Sequence, residues 1–282
     1  MTPVSYTFCA MVREASAQGD SARGGIARAF VAARRDGRSL PAYPGPPPTD
    51  LASAYLIQDE ALLLDGRAVA GWKVGRIPEP EDAQLGSNRL AGPVFTGTVV
   101  EAAPGLEAPM PAFAGGFIAL EAEFMLRLRV PAHASLPVDD AQTKEWVDEV
   151  RIGIEVASSP YAGINDDGPC VTISDFGNNA GVLLGPAIPG WRNRDLCAIE
   201  AATVIDGHEV GRATAGSMLD GPYGAVRFLL ENLARRGIAP RDGWWVSSGA
   251  VTGVHVARVG DHATASFAGL GSIACRIVAA GR

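Results

Sequence analysis

The 282-residue chain is short of the features that commit a protein to several large classes. Its four cysteines, Cys9, Cys170, Cys197 and Cys275, show no Cys-x-x-Cys spacing. They indicate neither a zinc knuckle nor a disulfide framework, and read as cytoplasmic thiols. No segment reaches the roughly eighteen apolar residues of a membrane span. The first twenty residues carry Arg13, Glu14 and Asp20 with no sustained apolar run, unlike a secretory leader. Basic residues number 24 against 31 acidic ones, for a net charge of -7, and no block of like charge stands out. That balance argues against nucleic acid or an anionic membrane as partner. The four histidines, His133, His208, His255 and His262, form no tight ligand pair, so zinc is a poor match. What remains is a soluble cytoplasmic protein acting on a small molecule.

The length allows a substantial core. Residues 1–36 have the spacing of one or two short helices, with Phe8, Met11 and Val12, then Ile26, Phe30 and Val31, at helical intervals. The run Leu40 to Pro48 holds prolines that cannot donate to a helix and reads as an extended connector. Thr49 or Asp50 then caps a predicted helix to about Leu64, with Ala54, Leu56, Ile57, Ala61 and Leu64 on its buried side and Gly66 near its end. These 66 residues form a predicted N-terminal helical region, and 67–282 a second unit.

From Ala68 onward short apolar strands are punctuated by Gly and Pro, which predicts an α+β protein with an all-β or mixed roll and excludes a Rossmann repeat. Residues 76–119 read as loop-rich, Asp139 to Glu149 as helical, and Asp206-Gly207 as a hairpin turn. Pro222 to Arg236 has a helical stripe of Val226, Leu229, Leu230 and Leu233, closed by Gly237. Trp244 to Gly249, Val254 to Val259 and Thr264 to Val278 are read as strands closing the sheet.

The most informative stretch is Leu120 to Val130. Leu120, Ala122, Phe124, Leu126, Leu128 and Val130 make one apolar row, which puts Glu121 and Glu123 side by side on the other face. Strand 151–158 repeats the arrangement, with Glu155 facing away from Ile152, Ile154 and Val156. Such carboxylates either line the wet face of a half-covered sheet or surround a cation, because dry like charges repel. An all-oxygen set suits a hard ion such as Mg²⁺ or Mn²⁺, with Ca²⁺ a poorer match. Lys73, alone among apolar neighbours in Gly71-Trp-Lys-Val-Gly75, either reaches the surface or points inward to an anion. Three carboxylates, a metal and a lysine would chelate a 2-oxo acid and stabilise its enolate.

Several motifs, in this order and spacing, resemble the fumarylacetoacetate hydrolase superfamily. They are Gly71-Trp-Lys-Val-Gly75, Glu121-x-Glu123, Ile154-Glu-Val-Ala-Ser-Ser159, Asn178-Asn-Ala180, Ser248-Gly249-Ala250, Gly260-Asp261 and Gly269-Leu-Gly-Ser272. Residues 50–278 are most similar to its branch of 2-keto-4-pentenoate hydratases and 4-oxalocrotonate decarboxylases. The resemblance implies a mixed β-roll core, Mg²⁺ or Mn²⁺ on Glu121, Glu123 and Glu155, catalytic Lys73 beside the substrate, and Ser159 and Asn179 lining the pocket. It also implies homo-oligomers, association of a hydratase with a partner decarboxylase, and turnover of 2-oxo or 2-hydroxydienoic acids from aromatic catabolism.

The chain departs from the family pattern in three places. Residues 74–120 contain no histidine, which counts against C–C bond hydrolysis by the family's acylpyruvate hydrolases. Arg89-Leu-Ala91 stands where hydratases of the branch carry an acid, and Pro160 where the branch tends to carry arginine. The expected activity is hydration of a 2-hydroxy-2,4-dienoate. Decarboxylation of a 2-oxo-3-enedioate is the alternative, and a non-catalytic family member a further one.

Overall fold

The computed structural model describes residues 21–132 and 135–281. Residues 21–36 form helix α1, in which Ile26, Phe30 and Val31 are buried as their spacing requires. Phe8, Met11 and Val12 lie outside the described residues. After the proline connector, Asp50 accepts from the Ser53 amide at 2.8 Å and caps α2 (Leu51–Asp65). Gly66, at φ 72°, ends the helix by donating to the Leu62 carbonyl.

The buried face of α2 differs from the one expected. Ala54, Tyr55, Ile57, Gln58, Ala61 and Asp65 face inward, whereas Leu56 is 52% and Leu64 38% exposed. Two inward polar groups set the helix's rotation. Gln58 donates to the carbonyls of Ala91 and Ile173 at 3.0 and 2.9 Å, and Asp65 accepts from Arg67 Nε at 2.6 Å. Buried polar groups with partners are tolerated, and a hydrophobicity pattern does not register them.

The chain then builds β1 (Val69–Arg76), α3 (Glu81–Leu85), β2 (Arg89–Phe95), β3 (Val99–Glu101), β4 (Glu107–Ala112), β5 (Phe117–Leu128), α4 (Asp140–Glu145) and β6 (Val147–Ser159). There follow α5 (Pro169–Ser174), β7 (Asn179–Ala187), β8 (Glu200–Ile205), β9 (His208–Thr214), α6 (Gly221–Arg235), β10 (Trp245–Ser247), β11 (His255–Val256), β12 (His262–Phe267) and β13 (Gly271–Ala279). The hairpin at Asp206-Gly207 and the long helix α6 stand where the sequence places them.

Three segments do not. Residues 76–119 hold three strands and a helix rather than loop. The helix expected to reach Glu149 stops at Glu145, because from Val147 the chain pairs with β5. The short helix α5, ahead of the Asn178-Asn-Ala180 motif, has no counterpart in the sequence reading.

Two mixed sheets result, one ordered β2-β1-β10-β5-β6-β7-β3 with β11 added to β5, the other β4-β13-β12-β8-β9. The C-terminal strands therefore do not close one sheet. β10 and β11 join the first, and β12 and β13 the second. The core fills the space between them, with Phe124 of β5 against Phe267 of β12 at 5.4 Å between ring centres. The apolar row of β5 faces this core from Leu120 to Leu128. A second apolar cluster joins Ile26 and Phe30 of α1 and Ile57 of α2 to Phe95, Ile164, Val171 and Phe176, so the N-terminal helices pack on the far side of the acidic strands' sheet. No helix among the described residues is long and apolar enough to cross a membrane. This is the α+β roll expected, with helices at its N-terminal end.

Candidate metal centre

β5 and β6 are antiparallel neighbours in a register that sets Glu121 directly opposite Glu155 and Glu123 opposite Gly153. Residues opposite each other, and their diagonal neighbours two along, share one face. One carboxylate oxygen from each of Glu121, Glu123 and Glu155 therefore lies within 4.8 Å of the others. The wet-face alternative fails, since Glu121 is 5% exposed and Glu123 and Glu155 are fully buried.

Each carboxylate is held. Glu123 Oε2 accepts from Ser247 Oγ at 2.5 Å and from the Gly249 amide at 2.9 Å. Glu155 Oε1 accepts from Asn179 Nδ2 at 2.8 Å. The other oxygens, Glu123 Oε1 and Glu155 Oε2, are buried without a hydrogen-bond partner. Burial, then Glu155 and Glu121, pushes the Glu123 carboxyl well above its ordinary value. Burial likewise raises Glu121 to about 7, against the pull of Lys73.

Lys73 points inward. Its Nζ lies 3.5 Å from Glu155 Oε1 and donates to Gly177 O and Asn178 Oδ1, each at 3.1 Å. Burial alone would depress the ammonium, but Glu155, then Glu121 and Glu123, hold it above its ordinary value. One ammonium facing three carboxylates leaves an excess of negative charge in a dry site. Together with two orphaned oxygens, that donor set fits a hard divalent cation.

The acceptors for Lys73 sit on a turn of unusual backbone. Phe176, Gly177 and Asn178 have φ of 55°, 61° and 54°, a left-handed run that only the glycine adopts freely. Surrounding contacts hold it. Arg34 of α1 forms a buried two-pronged pair with Asp175, at 2.5 and 2.8 Å, and also donates to the carbonyl of Asn179 at 2.8 Å. Ser159 Oγ donates to the same Asp175 at 2.6 Å, and Phe176 packs its ring on Phe95. Arg34→Met should lower stability by about 3–5 kcal/mol, because Asp175 is left buried without its cation. A denaturant midpoint would show it, and adding Asp175→Asn should recover part of the loss. A single variant as stable as wild type would make the pair dispensable.

Gly92 lies opposite Lys73 on β2, where a Cβ would run into the Phe176 carbonyl and the Gly177 Cα. Gly92→Ala should therefore destabilise by about 1–3 kcal/mol through overpacking. It should also displace the Lys73 acceptors, which a crystal structure of the variant would reveal. An unmoved turn would sink this account.

A cavity of about 670 Å³ opens over the site, with Lys73, Glu121, Asn178 and Ser248 in its wall. Ser159 and Asn179 are not on that wall. Asn179 sits behind Glu155 and Ser159 behind Asp175, both buried.

No protein-family profile matches the chain. A curated 2-oxo-hept-4-ene-1,7-dioate hydratase of Escherichia coli is 27% identical over 244 residues, covering 82% of this chain and 88% of that protein. Among solved structures, 4-oxalocrotonate decarboxylase from Pseudomonas putida G7, complexed with magnesium and adipate, superposes with a TM-score of 0.74 at 21% identity, covering 91% of this chain and 97% of that one. Fumarylpyruvate hydrolase from Pseudomonas aeruginosa, with Mn²⁺ and pyruvate, gives 0.54 at 17% identity over 75% of this chain and 90% of its own. These likenesses show that the chain has the fold of the fumarylacetoacetate hydrolase-like structures.

The sequence motifs Asn178-Asn-Ala180 and Ser248-Gly249-Ala250 mark this region but give Asp175, Asn178, Ser247 and the Gly249 amide no task. Arg34 carried no sequence signal at all. It lies 141 residues from its partner, on a helix whose pattern says only that one face is apolar.

Proposed function

We propose that this protein is a divalent-metal-dependent hydratase that adds water to a 2-hydroxy-2,4-dienoate, giving a 4-hydroxy-2-oxo acid. The observation that carries the reading is the convergence of three buried carboxylates beside one buried lysine, with Lys73 and Glu121 reaching the wall of a single cavity. Glu121, Glu123 and Glu155 would hold Mg²⁺ or Mn²⁺. When bound, such an ion supplies Lewis-acid stabilisation of negative charge on the substrate's 2-oxygen.

The chain's own residues do the rest. Lys73, aimed by Gly177 O and Asn178 Oδ1, presents a positive charge to the substrate carboxylate, where low dielectric strengthens the attraction. Asn179 fixes the orientation of Glu155, and Ser159 helps Asp175 hold the left-handed turn, so both act from behind the wall. Val74, Leu90, Met218 and Val251 line the cavity and displace bulk water from it. Overall, the 2-oxo-3-ene tautomer takes a hydroxyl at C4 and a hydrogen at C3, which consumes one water.

The runner-up is decarboxylation of a 2-oxo-3-enedioate, where the bond from the carboxylate breaks, CO₂ leaves and a proton replaces it. The fold likeness to the Pseudomonas putida decarboxylase favours keeping it. Purified protein with Mg²⁺ should deplete 2-hydroxypenta-2,4-dienoate or its dicarboxylic homologue without gas release. Consumption of an oxalocrotonate-type diacid alone, with release of CO₂, would replace hydration by decarboxylation. The same reading takes the protein as a cytoplasmic homo-oligomer, able to associate with a partner decarboxylase, which sedimentation of the purified protein alone and with that partner would test.

A further inference from the structure

A second cavity, of about 310 Å³, lies behind the metal centre and shares no lining residue with the first. The end of the left-handed turn divides the two, since Asn178 lines the first cavity and Asn179 the second. Three arginines, Arg34, Arg35 and Arg67, line this second space, and no acidic residue does. Asp175 answers Arg34, and Asp65 answers Arg67. Arg35 has only the carbonyls of Leu64 and Asp65, at 2.6 and 3.0 Å, both on its Nη2. Its Nε and Nη1, together with Arg67 Nη1, find no acceptor among the described residues. The wall is also aromatic. Arg67 stacks on the Phe95 ring at 4.0 Å, and Arg34 lies 5.2 Å from the ring of Phe113. Stacking covers the flat face of a guanidinium and leaves its N–H edge for a ligand.

We propose that this cavity binds a small aromatic carboxylate, its charge on Arg35 and Arg67 and its ring beside Phe95 and Phe113, and that the bound anion weakens metal affinity at Glu155. Paired guanidinium N–H groups match a carboxylate, and ring walls reward an apolar body that a bare anion lacks. The link to the metal is short. Arg34 Nη1 donates to the Asn179 carbonyl, and Asn179 Nδ2 holds Glu155 Oε1. An anion in the cavity draws Arg34 away from Asp175 and Asn179, which loosens the hold on Glu155. This second part rests on the reading of the three glutamates as the metal seat.

Calorimetric titration of the full chain tests both parts, with benzoate as ligand and with benzamide and acetate as probes that lack the charge and the ring. A hydrogen bond to a charged group is worth roughly tenfold or more in affinity, so benzoate should bind at least about tenfold more tightly than benzamide, and more tightly than acetate. Arg35→Met, a change to an exposed side chain, should cost benzoate about the same factor. Lys73→Met, altered in the first cavity, should bind benzoate as wild type does. Saturating benzoate should weaken Mg²⁺ binding about threefold or more, and Mg²⁺ should weaken benzoate by the same factor. Benzamide or acetate matching benzoate, or benzoate binding that survives in Arg35→Met or vanishes in Lys73→Met, would overturn the site. Mg²⁺ affinity unchanged or raised by benzoate would overturn the link. Failure of the metal reading looks different: Mg²⁺ would then bind neither with nor without benzoate, which removes the link and leaves the site.

Discussion

Replacing Glu123 with Gln abolishes metal-dependent turnover, by more than about 10³-fold, and removes the rise in melting temperature that Mg²⁺ gives wild type. Electrostatic groups aimed at developing charge are each worth about 10²–10³ in rate, and loss of a ligand removes such a group together with the ion it holds. A ligand that binds only the folded state stabilises by about 2.7 kcal/mol at a hundredfold excess over its dissociation constant, so the loss is readable as a thermal shift. The substitution is nearly isosteric, and the amide oxygen can still accept from Ser247 Oγ and the Gly249 amide, so the fold persists. Without metal the effect reverses. Burial and the neighbouring carboxylates push Glu123 well above its ordinary value, so folding must bury or protonate a group that is ionised in the unfolded chain, and Glu123→Gln removes that cost, so the metal-free variant melts at or above metal-free wild type. A Mg²⁺-induced rise equal to that of wild type would exclude Glu123 from the ligand set.

Lys73→Met separates the lysine from the metal. Turnover should fall by about 10²–10³-fold, with the Mg²⁺-induced thermal shift retained, since the three oxygen donors are untouched. The metal-free protein should be less stable than wild type, because the ammonium that faces the carboxylates, 3.5 Å from Glu155 at its nearest, is gone. Glu123→Gln and Lys73→Met are thus expected to move metal-free stability in opposite directions. The two melting curves alone test the charge arrangement, whatever the substrate. Undiminished turnover in Lys73→Met would reduce the lysine to a structural counter-charge and leave the substrate carboxylate without its proposed partner.

The acidic strands were legible because a strand has a period of two. Once Leu120 to Leu128 form a core-facing row, Glu121 and Glu123 have only one other face to occupy, and the same holds for Glu155 beside Ile154 and Val156. The helix α2 was less so, since its rotation was decided by Gln58 reaching the carbonyls of Ala91 on β2 and Ile173 on α5 and by Asp65 pairing with Arg67 just beyond the helix, which left Leu56 and Leu64 in solvent. The turn at Phe176 to Asn178 was legible only as a polar patch. Its left-handed backbone depends on Asp175 being clamped from α1, a contact no local pattern encodes.

By itself the sequence determined the alternation that puts three carboxylates and a lysine on the faces of strands, and the order of motifs that carries its resemblance to the fumarylacetoacetate hydrolase superfamily. Tertiary structure decided that these faces are dry, that β5 and β6 pair in the register that sets Glu121 against Glu155, and that Arg34 holds the turn presenting acceptors to Lys73. The physical reason is range: side-chain direction follows from neighbours one or two residues away, whereas burial and charge pairing depend on segments as distant as the 141 residues between Arg34 and Asp175.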